Sequence, residues 1–140
     1  MNNSLDKVQA ALADYITEDG NRFSVTETKN DTFTMLTIIR DDIEEFAILA
    51  TASDSQLLFN VALFDKAQII AGQSPALHTM MLELNMAMPL SSFALTGANY
   101  SIFGAMSTES DASQIQEEIL VLSENIMDAL EVCQHFLIKA

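Results

Sequence analysis

Cysteine is nearly absent from this chain, and basic residues are scarce. The single Cys133 excludes a disulfide framework and any zinc or iron–sulfur site built from several thiolates. Six Lys and Arg stand against 20 Asp and Glu, a formal net charge of −14 over 140 residues. A surface so acidic is repelled by phosphate backbones and anionic headgroups, so nucleic acid and anionic membranes are disfavoured as partners. The four glycines lie scattered, without a G-x-x-x-x-G-K-[ST] or G-x-G-x-x-G pattern, and no phosphate cradle is indicated. The most apolar stretch, Phe46 to Gly72, is broken by Asp54, Asp65 and Lys66. It falls short of the ~18 uninterrupted apolar residues of a membrane span, so no direct membrane insertion is expected. Met1 to Asp6 shows neither a charged n-region nor an apolar h-region, which predicts no signal peptide and a cytoplasmic protein.

Apolar material is plentiful. Hydrophobic residues make up 49% of the chain, enough for one core, and the length suits a single domain over 1–140. Leu5, Val8, Leu12 and Tyr15 or Ile16 recur at helical spacing and predict a helix from about Ser4 to Ile16, with Asn3 or Ser4 as its cap. Gly20 ends the connection after it, and the period then changes to alternation. Strands are expected around Phe23 and Val25, over Thr32–Ile39, Phe46–Ala52 and Gln56–Phe64, in an antiparallel meander. A charged turn, Arg40 to Glu45, separates the second from the third. Ser74 as cap and Pro75 at the first helical position open a second helix, which Pro89 stops. Leu77, Met81, Leu84 and Met88 form its apolar stripe. A hairpin follows, Ser91–Thr96 and Tyr100–Ala105 about the Gly97-Ala98-Asn99 turn. The last helix runs from about Ala112 to Ile138, capped by Ser110 or Asp111. The fold class is therefore α+β: an antiparallel sheet with flanking helices, in the order helix, four strands, helix, two strands, long helix.

That last helix would be roughly 40 Å long, against a radius of gyration of about 14 Å for a compact chain of this size. Beyond its stripe of Ile115, Ile119, Leu122, Ile126, Leu130, Cys133 and Leu137 it carries Leu120, Val121, Val132 and Phe136. So wide an apolar face needs more than one cover. Either the helix kinks near Ser123–Asn125, or a second copy covers part of it as a homodimer. Leu77, Met81, Met88, Leu120, Val121, Val132 and Phe136 are accordingly the candidate partner-binding residues.

Charge is unevenly placed too. From Ala67 to Ile138 there are eight carboxylates and no Lys or Arg, so salt bridges cannot neutralise this half locally. Two readings follow: solubility through self-repulsion, or a protein partner with a basic or amphipathic segment, steered in by the field.

Catalytic constellations are missing. Cys133 and His135 lie two apart on one helix and point to different faces, so they form no catalytic pair; Cys133 sits on the apolar stripe as a core thiol. Asp41, Asp42, Glu44 and Glu45 are the best candidates for a hard cation such as calcium or magnesium, but the D-x-[DN]-x-[DN]-G loop is lacking, and a solvated turn is the alternative. Met80, Met81, Met86 and Met88 suit either an adaptable binding surface or ordinary core filling. No catalytic residue, cofactor or metal is assigned, and a non-enzymatic chaperone-like or adaptor module is expected. The alternative is a small-ligand sensor or enzyme whose site assembles dispersed residues such as His78, Asp41 and Glu83.

The segment Leu84-Asn85-Met86-Ala87-Met88-Pro89-Leu90-Ser91-Ser92-Phe93-Ala94-Leu95-Thr96-Gly97 resembles the YbjN-like and type III secretion chaperone-like proteins. Over its full length the chain is similar to the uncharacterised bacterial YjfI-like family. The resemblance implies a secretion chaperone-like fold, a small acidic cytoplasmic dimer that holds partner segments, and no enzymatic activity. It also implies a link to bacterial membrane or envelope stress, through neighbours similar to phage-shock protein A. Four strands ahead of the second helix, where those chaperones usually have three, set this chain apart from them.

Overall fold

The structure, a computed structural model, describes residues 3–139. Its elements follow the expected order: α1 (Asn3–Ala13), β1 (Phe23–Lys29), β2 (Thr34–Arg40), β3 (Ile48–Ala52), β4 (Gln56–Asp65), α2 (Ser74–Asn85), β5 (Ser92–Thr96), β6 (Asn99–Ser107) and α3 (Ala112–Cys133). The six strands make one antiparallel sheet in the order β1-β2-β3-β4-β6-β5. The first four form the meander. The last hairpin is turned so that β6 lies on β4 and β5 becomes an edge.

Alternation along the strands sets two faces. Leu36 and Ile38, Ile48 and Ala50, and Leu57, Phe59 and Val61 point inward and are buried. Against them α1 presents Leu5, Val8 and Leu12, and α3 presents Ile115, Ile119, Leu122 and Ile126. Lys7 locks α1 to the connection ahead of α3, its ammonium donating to the carbonyls of Thr108 and Ser110 at 2.8 Å each. Gln116 Nε2 donates to Ala11 O at 2.7 Å between the two helices. No helix among the described residues is long and apolar enough to cross a membrane.

Several boundaries differ from the sequence expectation, each for a local reason. α1 ends at Ala13, not Ile16, because Thr17 folds the chain back: its N–H bonds Asn21 O and its hydroxyl accepts from Asn21 N–H, with Gly20 at φ +87. Ile16 then bridges Arg22 and stands exposed. Asn3 and Ser4, the expected caps of α1, are its first two residues. Ser74 is the first residue of α2 rather than its cap; Gln73 holds that position with no side-chain bond. α2 stops at Asn85, ahead of Pro89, as Met86 to Met88 turn on the Leu84 carbonyl.

α3 is capped by Asp111, whose carboxylate accepts from Gln114 N–H while the Gln114 side chain accepts from Asp111 N–H. It ends at Cys133, about 33 Å long on the helical rise, not at Ile138. The chain then passes through a 3₁₀ turn, Gln134–Phe136, and Leu137 pairs with Ile69 as an isolated bridge. The helix is continuous through Ser123–Asn125. Ser123 Oγ donates to Leu120 O at 2.7 Å and accepts from the Arg40 guanidinium at 3.0 Å. Arg40, expected in a charged turn, is instead the last residue of β2; it is 8% exposed and paired with Asp42 at 2.7 Å.

Candidate functional site

The loop from α2 to β5 is held from three sides. Asn85 Oδ1 accepts from Phe93 N–H at 2.7 Å, which ties the end of α2 to the start of β5. Asn125, on the inward face of α3, donates to the Pro89 carbonyl at 2.9 Å and to Ser91 Oγ at 3.0 Å. Between them Leu90 takes φ +59, the left-handed region that side chains disfavour. Behind the loop, Glu118 packs on Gly104, where a Cβ would collide with its Oε2 and lie 3.2 Å from the Leu90 carbonyl. Burial, with Glu117 adding to it, pushes the Glu118 carboxyl above its usual range. Much of the Leu84–Gly97 segment therefore serves to fix this loop.

The fixed loop opens a groove of about 200 Å³ between α2 and α3. Its sides are Met88 and Pro89 on one flank and Asn125, Ala129 and Val132 on the other, with Phe93 at the base. Asp128 stands at its edge. At 100° per residue, Glu117, Glu124 and Glu131 fall on the α3 face beside Asp128, and Val121 falls on the groove side. The groove is thus an apolar channel with Asp128 at its edge, and the carboxylate row to which Asp128 belongs continues along α3 beyond it. No Lys or Arg lies between Ala67 and Ile138 in sequence, and among the described residues the one ion pair, Arg40 with Asp42, does not involve this row.

The candidate residues are distributed accordingly. Met88 and Val132 line the groove, and Val121 falls on the same side of α3 as Val132. Leu120 is half-buried, while Phe136 packs on the core just past α3. Leu77 is fully buried and Met81 nearly so, because the stripe they belong to is the one α2 turns to the core. What α2 shows to solvent is the opposite row, Thr79, Leu82 and Met86, which the inward stripe hides from a periodicity reading. The greater part of the α3 apolar face is covered within the chain by the sheet and α1. Leu120, Val121 and Val132 stay half-buried, and Met127 is the one large exposed hydrophobe of α3 among the described residues.

His78, Asp41 and Glu83 do not converge. His78 Nε2 lies 2.7 Å from the Tyr100 hydroxyl on β6, and Glu83 is exposed on α2. Asp41, beyond β2, accepts from Arg22 N–H at 3.1 Å. Three strand spacings, roughly 14 Å, separate β2 from β6. Asp42 is engaged by Arg40, and among the described residues no three His, Cys, Asp or Glu are placed to share a metal ion. Cys133 is a buried thiol pushed up to about 12, so it stays protonated and unreactive at neutral pH.

Among solved structures, one chain of the crystal structure of the ExsC–ExsE complex has the same fold, with a TM-score of 0.54 at 13% identity over 96% of each chain. The search of curated proteins returns no match. Residues 3–137 match the family described as an uncharacterized protein conserved in bacteria (DUF2170), and the chain belongs to that family.

Proposed function

We propose that this chain is a non-enzymatic protein-binding module of the chaperone or adaptor type, which holds a basic, amphipathic segment of a partner in the α2–α3 groove. The observation that carries this reading is the pairing of an apolar channel, Met88, Phe93, Ala129 and Val132, with the carboxylate row Glu117, Glu124, Asp128 and Glu131. A segment with one apolar face and flanking Lys or Arg buries the first and pairs the second. The solved neighbour supports it, since that structure is a complex of two proteins. A cytoplasmic setting goes with this reading, in which the lone thiol of Cys133 stays reduced.

The test is fluorescence anisotropy with a labelled helical peptide of alternating Leu and Lys faces, titrated at several salt concentrations. Binding is expected to weaken steeply with salt and to be lost in the double variant Glu124→Lys/Asp128→Lys. Binding that ignores salt and survives that variant, or no binding by any such peptide, overturns the reading.

A further inference from the structure

One carboxyl group differs from every other buried side chain. Glu118 is 6% exposed, and its Oε2 is the single buried side-chain oxygen or nitrogen without a hydrogen-bond partner among the described residues. It faces Gly104 of β6. The Leu90 carbonyl borders the same space, 3.2 Å from where a Cβ of residue 104 would stand. That carbonyl likewise receives no donor from the described residues. Two unpartnered acceptors thus flank one gap, at the loop residue that holds φ +59.

The rest of the loop shows what this pair lacks. Glu118 and Asn125 are seven residues apart, two turns, and so lie on one face of α3. Asn125 donates to the Pro89 carbonyl and to Ser91 Oγ, on either side of Leu90. Leu90 is left facing Glu118. An ionised carboxylate only accepts and opposes that carbonyl, whereas a neutral carboxylic acid has an O–H to donate. One proton satisfies both oxygens.

No cation competes for the carboxyl. β6 and the loop before β5 carry no charged residue, and Tyr100 of β6 is bonded to His78. The one charge of β4, Asp65, is at its far end beside Asn99. On α1, Asp6 is exposed and Lys7 is taken by the Thr108 and Ser110 carbonyls. Arg40 is held by Asp42 and Ser123. Burial, with the neighbouring charge of Glu117 adding to it, raises the affinity of Glu118 for its proton.

We propose that Glu118 is a proton-operated clasp: as a neutral acid it donates its O–H to the Leu90 carbonyl and holds the loop that walls the α2–α3 groove, and when that proton passes to water the loop is released. The effect on a bound segment rests on the groove reading above; the clasp itself belongs to the free chain. Its sense is fixed by charge. Below the raised pKa the loop is held, and above it two facing oxygens loosen Met88 and Pro89.

Two measurements over a pH series from about 4.5 upward separate the clasp from the groove. In the free protein, infrared difference spectra against Glu118→Gln are expected to show a protonated carboxylic acid that outlasts the other carboxyls. The amides of Leu90 and Ser91 are expected to shift with the same midpoint, and not to shift in Glu118→Gln, whose side-chain amide donates at every pH. In peptide titrations at fixed salt, the parent is expected to lose about tenfold in affinity relative to Glu118→Gln across that midpoint. The ratio cancels the ionisation of the other carboxylates. Glu118→Ala, which has no donor, is expected to bind weakly at every pH. The proposal is overturned if no carboxylic acid outlasts the others, if the loop amides titrate alike in parent and Glu118→Gln, or if the two peptide curves run parallel. Absence of all peptide binding overturns the groove reading alone, and the free-protein spectra then decide the clasp.

Discussion

The carboxyl of Glu118 rests on the backbone of Gly104, in the space that any side chain at that position would fill. Helix and strand approach closely there because one of them has no Cβ. Gly104→Ala should destabilise the fold by about 1–3 kcal/mol, since Glu118 and the Leu90 carbonyl both bound the space. Urea melts check this, and the loss should be smaller in a Glu118→Ala background, where the colliding group is gone. Equal losses in both backgrounds would show that the collision is not the cause.

Glu118 also predicts a pH dependence. Its Oε2 has no hydrogen-bond partner among the described residues, and its pKa is raised by burial first and by Glu117 second. A carboxyl that holds its proton more tightly folded than unfolded makes stability fall as pH rises from the unfolded value of about 4.5 through the raised folded one. Below that window the contribution is constant. Glu118→Gln lacks it, so the stability difference between variant and parent should grow in the variant's favour across the window. Denaturant melts at a series of pH values measure this; parallel curves would contradict it.

Asn125 supports the loop that shapes the groove. Asn125→Ala leaves the Pro89 carbonyl and the Ser91 hydroxyl without their donor. A loss of about 1–3 kcal/mol is expected. Hydrogen exchange should show faster opening at the start of β5, where Phe93 N–H bonds Asn85, while β2 to β4 keep their protection. Uniform acceleration over the whole sheet would mean a global effect instead.

Periodicity made most of this architecture legible. The alternation around Ile38, Ala50 and Phe59 and the 4-3-4 spacing of Leu77, Met81, Leu84 and Met88 placed strands and helix correctly, because both report which side faces the core. Arg40 was not legible: next to Asp41 and Asp42 it reads as a solvated turn, and only the tertiary position of Ser123 gives it a buried acceptor. The end of α3 was equally hidden, since Leu137 leaves the helix to pair with Ile69, far away in sequence. The groove was half visible. Met88, Val121 and Val132 lie on or beside it, and the helical phase of Glu117, Glu124, Asp128 and Glu131 is available from spacing alone. What spacing does not give is that the loop after α2, through Pro89, and β5, through Phe93, lie beside that row.

The most direct test of the groove as the partner site is an amide chemical-shift map recorded as the cationic amphipathic peptide is added. The largest shifts should fall on Met88, Asp128, Ala129 and Val132, with β2 and β3 silent. A map centred on the open face of the sheet, around Leu49, Leu58 and Phe103, would contradict the account.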